Sequence, residues 1–433
     1  MKRFVVLVLF GGFVCGAFAD GTSVTKTVAR QQWPWGTSVD IHYLITGADF
    51  GADVDVTVFD GETTNVVPRA ALSGDFGFVK SGARRVTVNL ASAGLTDSAG
   101  YPALTFAIKV REPYMVIDLA AAKAGGGLSA ISYRSAPDLG ANGWSDDYKT
   151  SKLVLRLVPS GTFIMGAPDS EVGNATNASY PTREKQREIT LTQPFWMSVF
   201  EITQKQLEYV LGSRAAILPY TQMTNDLYYA KRPVDKVNYN NLRGTTNGAK
   251  CPDSGYELAV DNGSLMASFR ALFSGSILFD LPTEAQWEYA CRAGTTTAYY
   301  NGGTTNETAA TYQTYASQIA RYGRAACSDR MGNLSVATVE VGSYAPNAWG
   351  LYDMSGNVTE WTRDWGVLKV LDTDPTVDPL WPKANCALSG YRSIRGGHYQ
   401  DTYGVVRSAD RRIGQVGGET TKHGIRLYAP VFD

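Results

Sequence analysis

Between about residues 24 and 118, apolar and polar residues alternate in short runs. The clearest runs are Val39–Tyr43, Val54–Val58, Arg85–Leu90 and Phe106–Val110, and clusters of Gly, Asp and Pro separate them. A period of two places apolar side chains on one face of a strand and polar side chains on the other. The pattern therefore predicts a small antiparallel β-sandwich over residues 20–118.

The predicted sandwich is of the fibronectin or immunoglobulin type, in which short strands are separated by turn residues. No cluster of His, Cys and carboxylate residues accompanies these strands. We therefore interpret this part of the chain as an accessory domain.

A segment of low complexity follows the strands. It contains Ala120–Ala122 and Gly125–Gly127, and Pro137 lies in a stretch with little hydrophobic periodicity. Such composition predicts a linker over residues 119–149. Because 433 residues are too many for one ordinary core, residues 150–433 are expected to form a second domain.

The second domain is predicted to mix helices with strands, which makes the whole chain α+β. Its clearest helix signal is a capping box, in which Thr283 is followed three residues later by Gln286. A helix is expected over Ala285–Ala293, with Trp287 and Ala290 facing one core.

The first residues have the features of a secretory signal peptide. A basic start precedes the apolar run Phe4–Phe13, and Ala17–Ala19 supplies the small residues that a signal peptidase requires. The run is shorter than the ~20 apolar residues of a spanning helix. The pattern predicts a signal peptide over residues 1–19 and export to the periplasm, the cell surface or the medium, with no membrane span.

Charge and cysteine content exclude several classes of function. The chain has 40 basic and 41 acidic residues, so no net field favours nucleic acid. The cysteines beyond the signal peptide have no CxxC spacing, which argues against a zinc site. In an oxidising compartment they can form one or two disulfides, whose pairing the spacing leaves open. These cysteines are Cys251, Cys291, Cys327 and Cys386.

A series of motifs runs in consistent order through the second domain. They are Gly161–Gly166, Phe195–Gln204, Arg232–Val234, Leu281–Ala290, Asn347–Trp361, Arg395–Gly397, Arg407–Arg411 and Gly424–Leu427. With these motifs the domain resembles the formylglycine-generating enzymes, or sulfatase-modifying-factor family. The resemblance implies a large, irregular fold of the C-type-lectin type.

The resemblance also implies a calcium site. Its ligands would be Asp353, the backbone carbonyls of Gly356 and Val358, and Glu360, which together offer the hard oxygens that calcium prefers. In the alternative interpretation, Asp353 caps a turn and Glu360 forms a salt bridge. A second calcium site of the family would fall between about residues 319 and 338, where the expected ligand pattern is missing.

The family's catalytic chemistry needs a copper ion held by two cysteine thiolates, which are soft ligands suited to Cu(I). Asp401 stands at the position of the first cysteine, and Tyr403 or Gly404 stands near the second. Copper and formylglycine generation are therefore not expected. The iron-dependent sulfoxide synthases of the superfamily hold iron with three histidines, which come largely from a separate helical domain. This chain has no such domain, and its histidines are His42 in the predicted accessory domain and His398 and His423 in the second, so this enzyme class is not expected.

The segment after Gly397 is predicted to form a polar groove that recognises a ligand. Its candidate residues are His398, Tyr399, Asp401, Tyr403, Arg407 and Arg411. In the alternative interpretation, the two arginines pair with buried carboxylates instead.

Two functions follow from these expectations. In the first, the domain is a non-catalytic, calcium-stabilised binding module for a peptide, a glycan or an envelope partner. In the second, it is a sulfatase-modifying oxidase with altered metal ligands, or a subunit that assists such an enzyme. The sequence leaves the ligand and the oligomeric state open.

Overall fold

The computed structural model describes most of the chain outside its first twenty residues. The described residues are 21–32, 37–60, 63–95, 104–140, 143–171, 183–221, 229–253, 255, 257–303, 308–323, 338–366, 370–381, 390–418 and 422–431. The predicted signal peptide, Cys327 and Cys386 lie outside these residues, as does most of the segment expected to carry a second calcium site.

The chain divides into two compact units. The first comprises Met1–Met115 and Tyr133–Pro137, and the second comprises Val116–Ser132 and Asp138–Asp433.

The first unit is built from antiparallel strands, in agreement with the alternating pattern of its sequence. They are β1 (Ser23–Gln31), β2 (Ser38–Thr46), β3 (Ala52–Phe59), β4 (Thr64–Val66), β5 (Leu72–Gly74), β6 (Gly77–Val79), β7 (Gly82–Asn89) and β8 (Thr105–Arg111). One sheet has the order β1-β2-β7-β5, and β3 of the other sheet pairs with β4, β6 and β8. Apolar residues of both sheets, including Ile41, Val54 and Val86, share one core.

Strand β3 departs from simple alternation because two of its carboxylates are buried. Asp53 and Asp55 are only 3% and 4% exposed. The guanidinium of Arg69 lies 2.7 Å from Asp53 and 2.9 Å from Asp55, and Arg111 lies 3.1 Å and 2.5 Å from the same carboxylates. Burial of two acids is tolerated here because each has two charged partners.

The second unit mixes strands with short helices. Its helices are α1 (Leu119–Ala121), α2 (Gln204–Leu211), α3 (Arg214–Ile217), α4 (Tyr239–Arg243), α5 (Leu265–Ala271), α6 (Glu284–Arg292) and α7 (Ala309–Ile319). The remaining strands of the chain are β9 (Tyr114–Asp118), β10 (Ile131–Arg134), β11 (Leu139–Gly140), β12 (Gly143–Trp144), β13 (Lys152–Val158), β14 (Gly161–Met165), β15 (Arg187–Leu191), β16 (Phe195–Ser198), β17 (Thr359–Trp365), β18 (Tyr391–Arg395), β19 (Arg411–Gln415), β20 (His423–Gly424) and β21 (Tyr428–Pro430).

Two larger sheets and two short strand pairs, β11-β12 and β14-β15, form the framework of the second unit. Strand β16 pairs antiparallel with β13 and with β21, and a second sheet has the order β19-β18-β17-β20. Every residue of β17 is buried. Sheets of this size cover little of the chain, so long loops complete the core.

Helix α6 confirms the prediction made from its capping box. The Thr283 hydroxyl accepts a hydrogen bond from the Gln286 N–H, and the Gln286 side chain accepts one from the Thr283 N–H. Trp287 and Ala290 are fully buried, as expected for one face of an amphipathic helix.

Residues 119–149 are not the linker that their composition suggested. The Leu119 N–H donates to Ser151 O at 3.0 Å, and Lys123 Nζ donates to Val210 O at 2.6 Å. Tyr148 is 3% exposed and packs edge-on against Trp144, with ring centroids 4.8 Å apart. These contacts make most of the segment part of the second unit, so the boundary between units lies near residue 115 rather than at residue 150.

A search of the helices among the described residues finds none that is both long and apolar enough to cross a membrane.

Candidate functional site

The loop before β17 turns sharply at three positions. Asp353, Gly356 and Asn357 have φ values of 56°, 78° and 61°, in the left-handed region that few residues other than glycine adopt. A Cβ on Gly356 would lie 2.2 Å from the carbonyl oxygen of Arg321, so only glycine fits there. Left-handed non-glycine residues cost free energy and persist where the surrounding structure holds them.

Three buried carboxylates surround this loop. Glu201, Asp353 and Glu360 are 0%, 2% and 1% exposed. Glu201 accepts hydrogen bonds from the Asn357 side-chain amide at 2.6 Å and from the Val358 N–H at 3.1 Å. These two bonds fix the position of the loop.

Arg426 is the cation that pairs with Glu360. Its Nη2 lies 2.8 Å from Glu360 Oε1, and its Nε lies 2.8 Å from Oε2. The same guanidinium donates to the carbonyls of Ser198 and Tyr352, and Trp287 Nε1 donates to Glu360 at 2.5 Å. The salt bridge that was the alternative interpretation of Glu360 is therefore present.

Among the described residues, no cation lies in hydrogen-bonding contact with Asp353. Its Oδ2 accepts from the Gly342 N–H at 2.6 Å, whereas its Oδ1 is buried without a hydrogen-bond partner in the structure. Burial raises the pKa of Asp353 to about 6. Burial also raises the pKa of Glu201 well above its ordinary value, and the charges of Asp353 and Glu360 add to the effect. The raised pKa values favour the protonated forms of Asp353 and Glu201, so less negative charge remains beside Arg426.

The donor set at this loop fits calcium in its chemistry. All of the candidate ligands, Asp353, Glu360 and the carbonyls of Gly356 and Val358, are hard oxygens, and Asp353 Oδ1 is an orphaned acceptor. A carboxylate has about four lone-pair sites, so the three nitrogens that contact Glu360 do not exhaust its capacity. Within the described part of the chain, no group of three or more His, Cys, Asp and Glu side chains converges as a metal cluster, so backbone carbonyls would have to complete the shell.

A second polar group lies after Gly397, at the surface. The Asp401 carboxylate accepts from the His398 N–H at 2.9 Å, lies 3.3 Å from His398 Nε2, and lies 3.3 Å from Arg412 Nη1. The side chains of His398 and Asp401 are 14% and 12% exposed, and that of Arg412 is 40% exposed. Burial lowers the pKa of His398 to about 4, so the imidazole is neutral near pH 7.

The two tyrosines of the predicted groove lie deeper than expected. Tyr399 is 6% exposed, and its N–H donates to the Asn357 carbonyl at 3.0 Å. Tyr403 is partly buried against the core of the second unit, and its carbonyl accepts from the Tyr299 hydroxyl at 2.7 Å. The tyrosines therefore connect the surface loop to the core.

The two predicted groove arginines point inward, as the alternative interpretation proposed. Arg407 is fully buried and its Nη1 lies 2.5 Å from Glu171 and 2.9 Å from Glu184. Arg411 is 4% exposed and its Nε donates to Glu284 Oε1 at 2.8 Å. Their assignment to a ligand-binding groove was wrong, because buried carboxylates need these guanidinium groups as partners.

The described cysteine thiols are buried and protonated, unlike a reactive thiolate. Cys251 and Cys291 are fully buried and form no disulfide with any described residue. Burial raises the pKa of both thiols, that of Cys291 to about 12, so neither is a thiolate near pH 7.

Three residues of these sites were not predicted, although each lies in or near a motif. Glu201 belongs to Phe195–Gln204, and Arg426 belongs to Gly424–Leu427. Arg412 directly follows Arg407–Arg411. The order of the motifs was visible in the sequence, but the pairing between them depends on the fold.

Comparison with known proteins identifies relatives of the second unit. The family model described as "Sulfatase-modifying factor enzyme 1-like domain" matches residues 145–430, roughly two thirds of the chain. A formylglycine-generating enzyme of Streptomyces coelicolor is 38% identical over 134 residues, which cover 28% of this chain and 37% of the relative. The bovine formylglycine-generating enzyme is 24% identical over 282 residues, which cover 59% of this chain and 70% of the relative.

Other similar proteins carry different names. A Chlamydia pneumoniae protein named serine/threonine-protein kinase pkn1 is 31% identical over 146 residues, or 34% of this chain and 20% of that protein. Among solved structures, PvdO from Pseudomonas aeruginosa has a TM-score of 0.47 at 23% identity, covering 64% of this chain and 94% of PvdO. Treponema denticola variable protein 1 has a TM-score of 0.44 at 22% identity, covering 65% and 96%.

Proposed function

Since this chain belongs to the sulfatase-modifying factor family, we propose that its second unit is a non-catalytic, calcium-stabilised binding module of that family. The module recognises a peptide, a glycan or another component of the cell envelope. The protein is exported through its signal peptide, and the first unit is an accessory domain of the fibronectin or immunoglobulin type.

The observation that carries the non-catalytic proposal is the environment of Asp401. By the resemblance, Asp401 stands where the copper-dependent enzymes have their first cysteine. Its carboxylate is a hard ligand, and it is already engaged by His398 and Arg412. A Cu(I) site needs soft ligands, and the described thiols, Cys251 and Cys291, are buried and protonated.

The binding surface would consist of His398, Asp401 and Arg412. This patch offers a neutral imidazole, a carboxylate and a half-exposed guanidinium, and the Tyr399 ring centroid lies 5.8 Å from that of His398. Such a combination suits hydrogen-bonded recognition of a polar ligand. Arg407 and Arg411 would support the patch from within and would not touch the ligand.

Calcium would be held by Asp353, the carbonyls of Gly356 and Val358, and Glu360. When bound, the ion supplies fixed positive charge beside three buried carboxylates, and Asp353 Oδ1 is the acceptor that most needs it. The residues of the chain do the rest: Glu201 fixes the loop through Asn357 and Val358, and Arg426 orients Glu360. Its role is to stabilise the fold.

Metal content of the purified protein tests the proposal directly. We expect calcium near one equivalent and negligible copper and iron by mass spectrometry, together with no oxidation of a sulfatase-derived cysteine peptide. Copper or iron near one equivalent that survives a mild chelator wash, or oxidation of the peptide, would return the protein to the oxidases.

The calcium ligands are tested by thermal unfolding with and without calcium. A ligand that binds only the folded state raises stability, by about 2.7 kcal/mol at a concentration of 100 Kd. We expect calcium to raise the Tm of the parent protein, and Asp353→Asn to abolish the rise. This substitution keeps the size of the side chain and one acceptor for the Gly342 N–H. Asp372→Asn, which removes a carboxylate that is 86% exposed, is the matched control. A calcium response that is equal in both variants would rule out Asp353 as a ligand.

A further inference from the structure

A pocket of about 330 Å³ lies in the second unit, apart from the surface of His398 and Asp401. Its volume is at the lower end of the range for small-molecule sites, about 300–1,000 Å³. Its lining includes Leu191, Phe195, Gln286, Arg363, Leu380 and Val431.

Among the described residues, Arg363 of β17 is the charged side chain of this pocket that forms no ion pair or hydrogen bond. The residue is 6% exposed, and its Nε is buried without a hydrogen-bond partner. Among the described residues, no ion pair or side-chain hydrogen bond engages its guanidinium, which lies 5.0 Å from the centre of the Tyr428 ring. The main-chain N–H of Arg363 donates to Pro282 O at 3.0 Å, which fixes the backbone of the residue but does not engage its guanidinium. Burying a guanidinium without an anion costs free energy of folding. The other buried arginines described above each pair with a carboxylate.

Asp364 and Asp378 form no hydrogen bond or ion pair with Arg363 among the described residues, although the charges of Asp364 and Arg363 interact. Asp364 accepts from the Glu284 N–H at 2.7 Å and from the Trp381 N–H at 2.9 Å. Asp378, on the pocket wall, accepts from the Thr192 N–H at 2.8 Å and from the Thr192 hydroxyl at 2.5 Å.

The pocket also offers a second donor near the start of α6. The Gln286 side-chain oxygen accepts from the Thr283 N–H, and this hydrogen bond of the capping box fixes the orientation of the Gln286 amide. No acceptor among the described residues takes a hydrogen bond from its Nε2. The apolar side chains of Leu191, Phe195 and Leu380 also line the pocket.

From this arrangement we propose that the pocket binds a small organic carboxylate with a compact apolar part. The carboxylate would pair with Arg363 and accept from Gln286 Nε2, and the apolar part would lie against Leu191, Phe195 and Leu380. One guanidinium and one amide match a singly charged planar acid, and the apolar wall excludes a bare inorganic ion. The inference goes beyond the proposed binding module, since neither His398 nor Asp401 lines this pocket.

The test uses the full chain and 4-methylpentanoate, with 4-methylpentanamide as an uncharged ligand of the same shape. We expect one site by titration calorimetry, with the acid bound at least about tenfold more tightly than the amide, because charge-assisted hydrogen bonds are roughly twice as strong as neutral ones. Arg363→Gln should remove this preference. Arg30→Gln, which removes a charge from the first unit, should leave it unchanged.

Further arms of the experiment identify the chemistry of the ligand. Val431→Trp fills the pocket without altering its charge, and should weaken binding of both ligands while the Tm stays near that of the parent. N-acetyl-glycyl-leucine presents the same carboxylate at the end of a peptide. Tighter binding of this peptide than of the free acid would support the carboxylate site with a peptide terminus as its source.

Several outcomes would overturn the proposal. Equal affinity for the acid and the amide would do so, as would undiminished binding of the acid by folded Arg363→Gln. Stronger binding of inorganic phosphate than of any organic acid would also contradict it. The same holds if none of 4-methylpentanoate, benzoate and phenylacetate binds. A normal circular-dichroism spectrum and cooperative unfolding of Arg363→Gln establish that it is folded. These results are independent of calcium binding, so they do not depend on the outcome at Asp353.

Discussion

Arg407 and Arg411 show that an arginine in a sequence can be interpreted either as a ligand-binding residue or as the partner of a buried acid. Both stand in a polar, aromatic-rich segment that predicted a groove, yet both pair with buried acids. The partners of Arg407, Glu171 and Glu184, lie 236 and 223 residues away in the chain. Neither spacing nor composition encodes a pairing over such a separation, so only the fold reveals which arginine faces inward.

The burial of Arg407 leads to a prediction about stability. Arg407→Ala should lower the free energy of unfolding by about 3–5 kcal/mol, because it leaves Glu171 and Glu184 buried without their cation. Chemical denaturation measures the loss. Arg412→Ala, at a side chain that is 40% exposed, should change stability by less than about 1 kcal/mol. Equal stabilities for the two variants would show that Arg407 is not held as described.

The imidazole of His423 is expected to stay neutral at pH values well below the ordinary pKa of histidine. It is 8% exposed, its ring packs edge-on against Trp361, and burial lowers its pKa to about 4. The chain has three histidines, so each imidazole can be assigned by NMR with single His→Gln variants. A titration midpoint near 6.5 for His423 would contradict its buried position.

The same shift has a consequence for stability. Unfolded His423 takes up a proton near pH 6.5, whereas the folded residue does so only near pH 4. The unfolded state therefore binds more protons between these values, and stability should fall as the pH drops from about 6.5 to about 4. The contribution of His423 to this loss is on the order of 1–3 kcal/mol, and it should be missing from the pH profile of His423→Gln.

At the scale of elements, local signals were reliable and long-range ones were not. Helix α6 was predicted within one residue at each end because its capping box and apolar face are encoded within ten residues. The alternating runs of the first unit became strands for the same reason. The burial of Asp53 and Asp55 on β3 was not visible, because their partners Arg69 and Arg111 come from other segments.

Helix α2 has the same cap as α6, but the cap also fastens a distant segment. The Thr203 hydroxyl accepts from the Gln206 N–H and donates to Lys149 O at 2.8 Å. Thr203→Ala should therefore be about 1–2 kcal/mol less stable than Thr203→Ser, which keeps the hydroxyl in both roles. Denaturant titration of the two variants gives the difference, and a value near zero would mean that the hydroxyl contributes nothing to either contact.

At the scale of the whole molecule, the sequence predicted two compact units and misplaced their boundary. Runs of alanine and glycine suggested a linker over residues 119–149, because small residues carry no hydrophobic periodicity. The segment is instead anchored by a few large side chains at irregular spacing, notably Leu119, Trp144 and Tyr148. Irregular spacing has no signature in a periodicity analysis, so a segment that packs through its loops is mistaken for a connection.

The position of the boundary can be tested by substitutions within residues 119–149 of the full chain. Tyr148 is 3% exposed, donates from its hydroxyl to Asp138 at 2.9 Å, and receives the Gln206 amide on its carbonyl at 3.2 Å. Tyr148→Ala should cost about 3 kcal/mol or more of unfolding free energy, as for other buried aromatic side chains. Leu128→Ala, at a side chain that is 53% exposed, should cost less than about 0.5 kcal/mol. A linker would tolerate both substitutions alike, so a neutral Tyr148→Ala would restore the boundary at residue 150.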